Sequence, residues 1–564
     1  MLIKSPVRNR SRVSTRVLIF ALAATLAPLL ALTRRASAAE AQHAMVVAES
    51  GLAAKAGINI LQHGGNAIDA ATATTLTLGV TNASSCGIGG GGFMLIYLAK
   101  TGRFYALDFR ERASMHASAD MYLRGGHADE QLARRGPLAV AVPGEVAGLE
   151  AALERFGTMK FQQVAAPAIR LASDGFPVSK HLAAEIARHK SGIAADPGLR
   201  AIYLNPDGSP ARAGQTITDP ALASTLRRLG DKPLKNFYHG PIARRIAAYM
   251  KENGGIVDAQ DLALYEPIWR TPLNRPFQGY EVYTMPPPSS GGVILEMLGM
   301  LEPGHLPGLG LNSQPYLARL IEVMRQGFID RQQYADPVYV HVPIGMLLSP
   351  GHINEARARA LHHAAPAPVA AAHDHGTSNL CVVDSAGNVV VLTTTINTGF
   401  GAMMMIPKLG LILNNEMDDF ASELGVANVF RLRGVRANGI APGKRPLSSM
   451  SPAVVTKGGR PVLALGGSGG PTIITGVLQV TLDVLDFNLP PAKAVAAPRI
   501  HEQGKPATVF VDPSMPAATV KGLSAMGYPI KVVPWMGAVG AIEIAPNNLL
   551  GAFDPRKGGG VEGY

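Results

Sequence analysis

Between Ala356 and His375 the chain reads ARARALHHAAPAPVAAAHDH, and at Gly376 it turns at once into GTSNLCVVD, a run rich in strand-forming residues. No other junction in the sequence restricts the fold so strongly. An Ala/Pro/His tract of low complexity reads as a loose surface segment. It ends at a residue without a Cβ, and a hydroxyl residue follows at the mouth of a strand. Intramolecular peptide cleavage needs this arrangement. Glycine permits a strained backbone at the scissile bond, and the Thr377 hydroxyl can attack the carbonyl that precedes it. The released Thr377 would hold a nucleophile and a base together, because an α-amino group has a reference pKa of about 8. Downstream, Thr393, Thr395 and Asn397 alternate along one predicted strand, so all three face the same way. On a neighbouring strand that face would present two hydroxyls and an amide to Thr377. The plain alternative is an ordinary Thr-rich strand.

Toward the N-terminus, ESGLAAKAGINILQHGGNAIDAATATTLTLGV predicts two helices separated by Gly64-Gly65, the second apolar on most faces and therefore buried. A glycine loop, a strand, a Thr-Gly turn and a second strand ending at Arg110 follow. The region from about Gly144 to Gln333 reads as mainly helical. Beyond Thr377 strands dominate, until PVLALGGSGGPTIITGVLQVTLDVLDF gives a strand, a glycine turn and a helix with Pro471 in its first turn. Backbone N–H groups collect in such a turn, where they can stabilise an oxyanion or simply close a βα connection.

A net charge of +11 would suggest nucleic acid, but seven basic residues and no acid stand before Ala39, leaving +4 on the rest of the chain. No basic patch interleaved with aromatics occurs elsewhere, so nucleic acid is excluded as a partner. The basic N-terminus is followed by VLIFALAATLAPLLAL and by the small-residue step Ala36–Ala38, which together read as a secretory leader over residues 1–38. The alternative is an uncleaved anchor. With the leader removed, the protein is expected to be secreted or periplasmic, with no stable membrane span. Cys86 and Cys381 allow at most one disulfide and have no metal-ligand spacing.

Two motifs are set aside. Gly87–Gly92, GIGGGG, satisfies G-x-G-x-x-G, but a helix precedes it and a strand follows, the reverse of a dinucleotide loop. Glycines that let backbones pack closely beside a site account for it better. His362, His363, His373 and His375 lie in a proline-containing linker that offers no rigid frame for a metal. Neither a metal nor another cofactor is expected.

The blocks GGGGFML, LDFRE, AVPGEVAGLE, MPPPSSGG, NNEMDDF, KRPLSSMSP and GGSGGP, in this order, resemble the γ-glutamyltransferase (glutathione hydrolase) family of N-terminal-nucleophile hydrolases. The likeness runs from about Ala48 to the C-terminal Asp554–Tyr564. It implies an α/β fold, a four-layer αββα sandwich made as one precursor that cuts itself between Gly376 and Thr377. The products would be a large subunit, 39–376, and a small subunit, 377–564. By position, Thr377 matches the catalytic threonine and Thr395 the residue bonded to it. Arg110 matches the cation that takes the α-carboxylate of the γ-glutamyl group, and Ser448 and Ser449 match further carboxylate contacts. Asn397, Glu416 and Asp419 match polar and α-amino contacts, and Gly469 and Gly470 match the oxyanion hole. The implied partners are γ-glutamyl donors such as glutathione and amine acceptors, either amino acids or dipeptides. Such a zwitterionic head group needs a bidentate cation for its carboxylate and acids for its ammonium.

Two positions depart from the family pattern. Asn379 stands where many relatives have histidine, and Phe430, in GVANVFRLRG, stands where bacterial relatives often have a tyrosine that reaches Asn397. The rival enzyme readings are a glutaryl-cephalosporin acylase or an oxamate amidohydrolase. A glutaryl group has no α-ammonium, so Glu416 and Asp419 would lack a cationic partner and favour γ-glutamyl substrates. A secreted binding protein without turnover is the remaining class, and the intact Gly376-Thr377 step argues against it.

Overall fold

The computed structural model describes Met1 and residues 35–360, 376–504 and 507–564. Two seven-stranded sheets form its centre. The first runs β1 (Ser37–Ala41), β13 (Asn548–Phe553), β12 (Ala538–Ala545), β11 (Arg460–Ser468), β10 (Ala453–Lys457), β7 (Tyr280–Thr284) and β6 (Leu273–Phe277). The second runs β14 (Gly560–Gly563), β2 (Met45–Ala48), β8 (Gly376–Val383), β9 (Val389–Asn397), β3 (Gly91–Leu98), β4 (Arg103–Phe109) and β5 (Ile268–Arg270). Neighbouring strands are antiparallel throughout both sheets.

The period of two along these strands separates the layers. Leu380, Val382, Val390 and Leu392 join one core with α1 (Gly51–Gln62), α2 (Ala67–Thr81), α3 (Glu145–Phe156) and α4 (Phe161–Asp174). The intervening Cys381, Val383, Val389 and Val391 join a second core with Leu463, Leu465 and Ala541 of the facing sheet. On the far side of that sheet lie α5 (Gly291–Leu301), α6 (Gln314–Asp330), α7 (Pro350–Ala360) and α8 (Thr472–Leu485). The order is helices, sheet, sheet, helices, as expected.

The two N-terminal helices form where the pattern predicts them. Asn66 caps α2 by accepting from the N–H groups of Ile68 and Asp69, and nearly all of α2 is buried. The strands β5, β6 and β7 went unrecognised inside a stretch read as helical. They are short, and Pro276 interrupts the strand signal, yet β6 is an edge strand, where a missing N–H is tolerated. Pro471 occupies the cap position of α8.

The leader assigned to residues 1–38 falls mostly outside the described residues, as do the linker and its four histidines. Ser37 and Ala38 belong to β1, where Ser37 pairs with Phe553. No described helix is long and apolar enough to cross a membrane.

Candidate active site

β8 begins at the Gly376-Thr377 step itself, and its register against β9 shifts between these two residues. Thr377 lies directly opposite Thr395. The Thr395 hydroxyl donates to the carbonyl oxygen of Gly376 at 2.8 Å and accepts from the backbone N–H of Asn397 at 2.8 Å. A hydroxyl has one proton to give. With that proton on Gly376, the 3.1 Å contact between the two threonine hydroxyls must run from Thr377 to Thr395. The Thr395 hydroxyl is therefore bonded at once to the Gly376 carbonyl oxygen and to the Thr377 hydroxyl.

Two expectations are corrected. Gly376 has no left-handed backbone. Space is what excludes a side chain, because a Cβ there would overlap the carbonyl oxygen of Asn397. Nor do all three alternating residues reach the nucleophile. Thr393 pairs with Asn379, and its hydroxyl has no partner among the described residues. Asn397 ends the strand at φ 75° and donates its amide to the carbonyl of Asn415 at 2.9 Å. Of these three residues, Thr395 is the one whose side chain bonds to Thr377. Asn379, at the departure from the family pattern, is buried with neither amide atom bonded among the described residues.

A residue without an assigned role closes this corner from the C-terminus. The Lys557 ammonium, buried, donates to the carbonyl oxygen of Thr377, lies 2.8 Å from Glu49 and reaches the Ser468 hydroxyl at 3.3 Å. It fixes the backbone of Thr377. Its only sequence signal is one lysine ahead of a glycine run, which reads as a solvated tail.

Arg110, at the end of β4, is fully buried among acids. Its terminal nitrogens pair with Glu416 and Asp419, Glu111 lies at 3.6 Å, and its Nε donates to the carbonyl of Pro446 at 3.2 Å. Burial alone would lower the Arg110 pKa, but the charges of Glu416, Asp419 and Glu111 outweigh it and hold the guanidinium firmly charged. Burial pushes Glu111 up to about 7, Glu416 well above its ordinary value and Asp419 upward, against the pull of Arg110. Cation and acids thus stand together before any ligand arrives. Each terminal nitrogen keeps a second N–H, so a carboxylate can dock on Arg110 while an ammonium meets the acids.

The NNEMDDF block divides its labour. Asn414 ties the glycine loop to this turn, donating to the carbonyls of Gly89 and Ala141 and accepting from the N–H of Glu416. Met417 enters a small core, while Asp418 accepts from the N–H of Val429 at 3.0 Å and so anchors the following loop. Glu416 and Asp419 alone face Arg110.

Ser448 and Ser449 meet a second guanidinium that the helical reading overlooked. Arg331, just past the end of α6, donates to Ser449 Oγ at 3.2 Å and to Ser290 Oγ at 2.8 Å, and Ser290 in turn donates to the carbonyl of Ser448 at 2.6 Å. Burial lowers its pKa to about 10, and Asp419 works against that. Arg331 and Asp419 border a pocket that continues along Asn428, Arg433 and Asn438.

Gly469 and Gly470 follow β11 with φ of 127° and 58°. A Cβ on Gly470 would lie 2.6 Å from the Phe430 ring, so that ring covers the glycine turn. Phe430 is held by its backbone, its carbonyl accepting from Gln503 at 3.1 Å and its N–H donating to Asn428 at 3.1 Å.

Comparison with known proteins agrees with this geometry. A family model described as gamma-glutamyltranspeptidase matches residues 53–564. The glutathione hydrolase proenzyme of Escherichia coli is 38% identical over 529 residues, covering 92% of this chain and 91% of that protein. The proenzyme of Pseudomonas aeruginosa is 39% identical over 527 residues, covering 91% and 93%. Among solved structures, a cephalosporin acylase from Bacillus halodurans superposes with a TM-score of 0.82 at 28% identity, over 93% of this chain and 97% of that one. The Helicobacter pylori gamma-glutamyltranspeptidase superposes with a TM-score of 0.53 at 35% identity, over 54% and 88%. The chain belongs to the gamma-glutamyltranspeptidase family.

Proposed function

We propose that the protein is a self-cleaving γ-glutamyltransferase and glutathione hydrolase. The observation that carries this reading is the Thr395 hydroxyl, bonded at once to the Gly376 carbonyl oxygen and to the Thr377 hydroxyl. In processing, Thr377 Oγ attacks the Gly376 carbonyl carbon, the C–N bond breaks, and the nitrogen takes a proton. Water then hydrolyses the resulting ester, which leaves a large subunit ending at Gly376 and a small subunit beginning at Thr377. In turnover the new α-amino group takes the hydroxyl proton as Oγ attacks the γ-carbonyl of the donor. Gly469 and Gly470 hold the oxyanion, and the amine leaves with that proton. Water then releases glutamate, or an amino acid or dipeptide amine carries the group away. Arg110, Ser448 and Ser449 take the donor's α-carboxylate, and Asn397, Glu416 and Asp419 its remaining polar contacts. Residues 1–38 act as an export leader, which places the enzyme in the periplasm or outside the cell.

N-terminal sequencing of the smaller fragment is expected to begin Thr-Ser-Asn-Leu, and Thr377→Ala to stay full length. An uncut, active wild-type chain would falsify the mechanism. The similarity to a cephalosporin acylase supports a second reading, in which a glutaryl amide is the substrate. Release of anilide from γ-glutamyl and glutaryl anilides, compared on one preparation, separates the two. Preference for the glutaryl compound selects the acylase.

A further inference from the structure

We propose that Glu296, Asp330 and His352 form a binding site for one divalent cation, Zn²⁺, in the outer layer of α5, α6 and α7. One side chain comes from each helix, and their ligand atoms lie within 4.8 Å of one another. His352 Nε2 stands 3.2 Å from Asp330 Oδ2 and 3.5 Å from Glu296 Oε1. Those separations are close to the edge of about 3.3–3.4 Å that a tetrahedral zinc site with bonds of about 2.0–2.1 Å requires.

The observation that points to a ligand is Glu296. It is fully buried in a helix whose other residues are nearly all apolar, and no N–H or hydroxyl among the described residues donates to its carboxylate, whose polar neighbours are the Asp330 carboxyl, with which it can share a proton, and His352 at 3.5 Å. A carboxylate left so in a packed core is costly without a counter-charge. Two carboxylates and a neutral imidazole balance a divalent ion, and the mixed nitrogen and oxygen donors suit zinc. An outer contact orients one ligand, since Gln326 Nε2 donates to Asp330 Oδ2 at 2.7 Å. The side chains of His352 and Asp330 are 11% and 8% exposed, so the group can be reached from solvent. Without the cation, Glu296 and Asp330 would have to share a proton.

The bound ion ties α7, which leads directly into residues 361–375, to the two helices beneath it. Nothing in the reaction proposed above uses it.

The test is zinc titration of the full chain after treatment with chelator, followed by calorimetry, metal analysis and thermal melting. Wild type is expected to bind one equivalent more than either Glu296→Gln or His352→Ala, and its Tm to rise with zinc concentration where theirs does not. Residual affinity at the site should be at least about tenfold weaker in each variant. His116→Ala, at the separate group of exposed His116, half-buried Asp258 and buried Asp261, is the control and should not change the difference. Circular dichroism verifies that the variants are folded, and Glu296→Gln preserves side-chain volume. Failure of wild type to bind zinc, or equal content in wild type and either variant, overturns the proposal and leaves the Glu296–Asp330 pair sharing a proton.

Discussion

Arg110 illustrates how a single residue acquires meaning from its surroundings. On the sequence it ends an apolar strand. In the fold it is a buried cation held by three acids and a backbone carbonyl. Removing it should cost about 2–5 kcal/mol of transition-state stabilisation toward a zwitterionic donor. Arg110→Ala is therefore expected to lose that much in kcat/KM on γ-glutamyl substrates while still cleaving itself, since its side chain bonds to Pro446, Glu416 and Asp419 and not to Thr377, Thr395 or Gly376. An unchanged kcat/KM would mean that the carboxylate docks elsewhere. Phe430 covers Gly470 but has no hydroxyl to bond across the pocket. A neutral hydrogen bond is worth roughly 0.5–1.5 kcal/mol, enough to alter a closed population several-fold. Phe430→Tyr is expected to move product from hydrolysis toward transfer at a fixed acceptor concentration. Identical product ratios would mean that the ring alone seals the pocket.

At the scale of elements, the glycine-rich loop illustrates how close approach builds the site. A Cβ on Gly90 would overlap the carbonyl oxygen of Thr395, and one on Gly91 or Gly92 would overlap the backbone of the neighbouring strands. The loop therefore presses against the strand residue that bridges Thr377 and Gly376. Gly90→Ala forces β9 to move, at an overpacking cost of about 1–3 kcal/mol. Slower self-cleavage and a lower denaturation midpoint are expected together. Loss of stability with an unchanged processing rate would show that β9 yields somewhere other than Thr395.

Across the whole molecule, burial leaves several carboxyls with raised pKa values. Glu145 and Asp483 are pushed up to about 8, and Asp418 and Glu502 to about 7, by desolvation first in each case. A carboxyl whose folded pKa exceeds its unfolded value favours the fold when protonated. Its contribution is complete below the unfolded pKa, 4.5 for Glu145, and is lost as pH rises toward about 8. Half-buried His181 and buried His501 are pushed down to about 3 and 4 by desolvation, so their neutral forms favour the fold above about 6.5 and that contribution fades on acidification. Glu145 accepts from Thr394 at 2.7 Å on the central strand β9, and the amide of Glu145→Gln can accept there without ionising. The Tm advantage of Glu145→Gln over wild type should therefore grow between pH 5 and pH 8. A constant difference would mean that Glu145 stays ionised in the fold.

The sequence by itself determined what local patterning can carry: the two N-terminal helices, the strand pair around the glycine loop, the strand–turn–helix at Pro471, and a Gly-Thr step at the start of a strand. Family resemblance added Arg110, Glu416, Asp419 and the serine pair. Other features were decided only by the fold. β6 was illegible because an edge strand containing proline has no periodic signal of its own, and β5 and β7 because runs of three and five residues are too short to show one. Lys557 and Arg331 were illegible because a charged residue in a tail or after a helix reads as solvated until distant segments bury it. The strain expected at Gly376 became a matter of space, since the backbone of Asn397 is brought against it by sheet pairing and not by neighbours in sequence. Whether a hydroxyl faces a nucleophile depends on register, and register is a contact between strands that no single strand encodes.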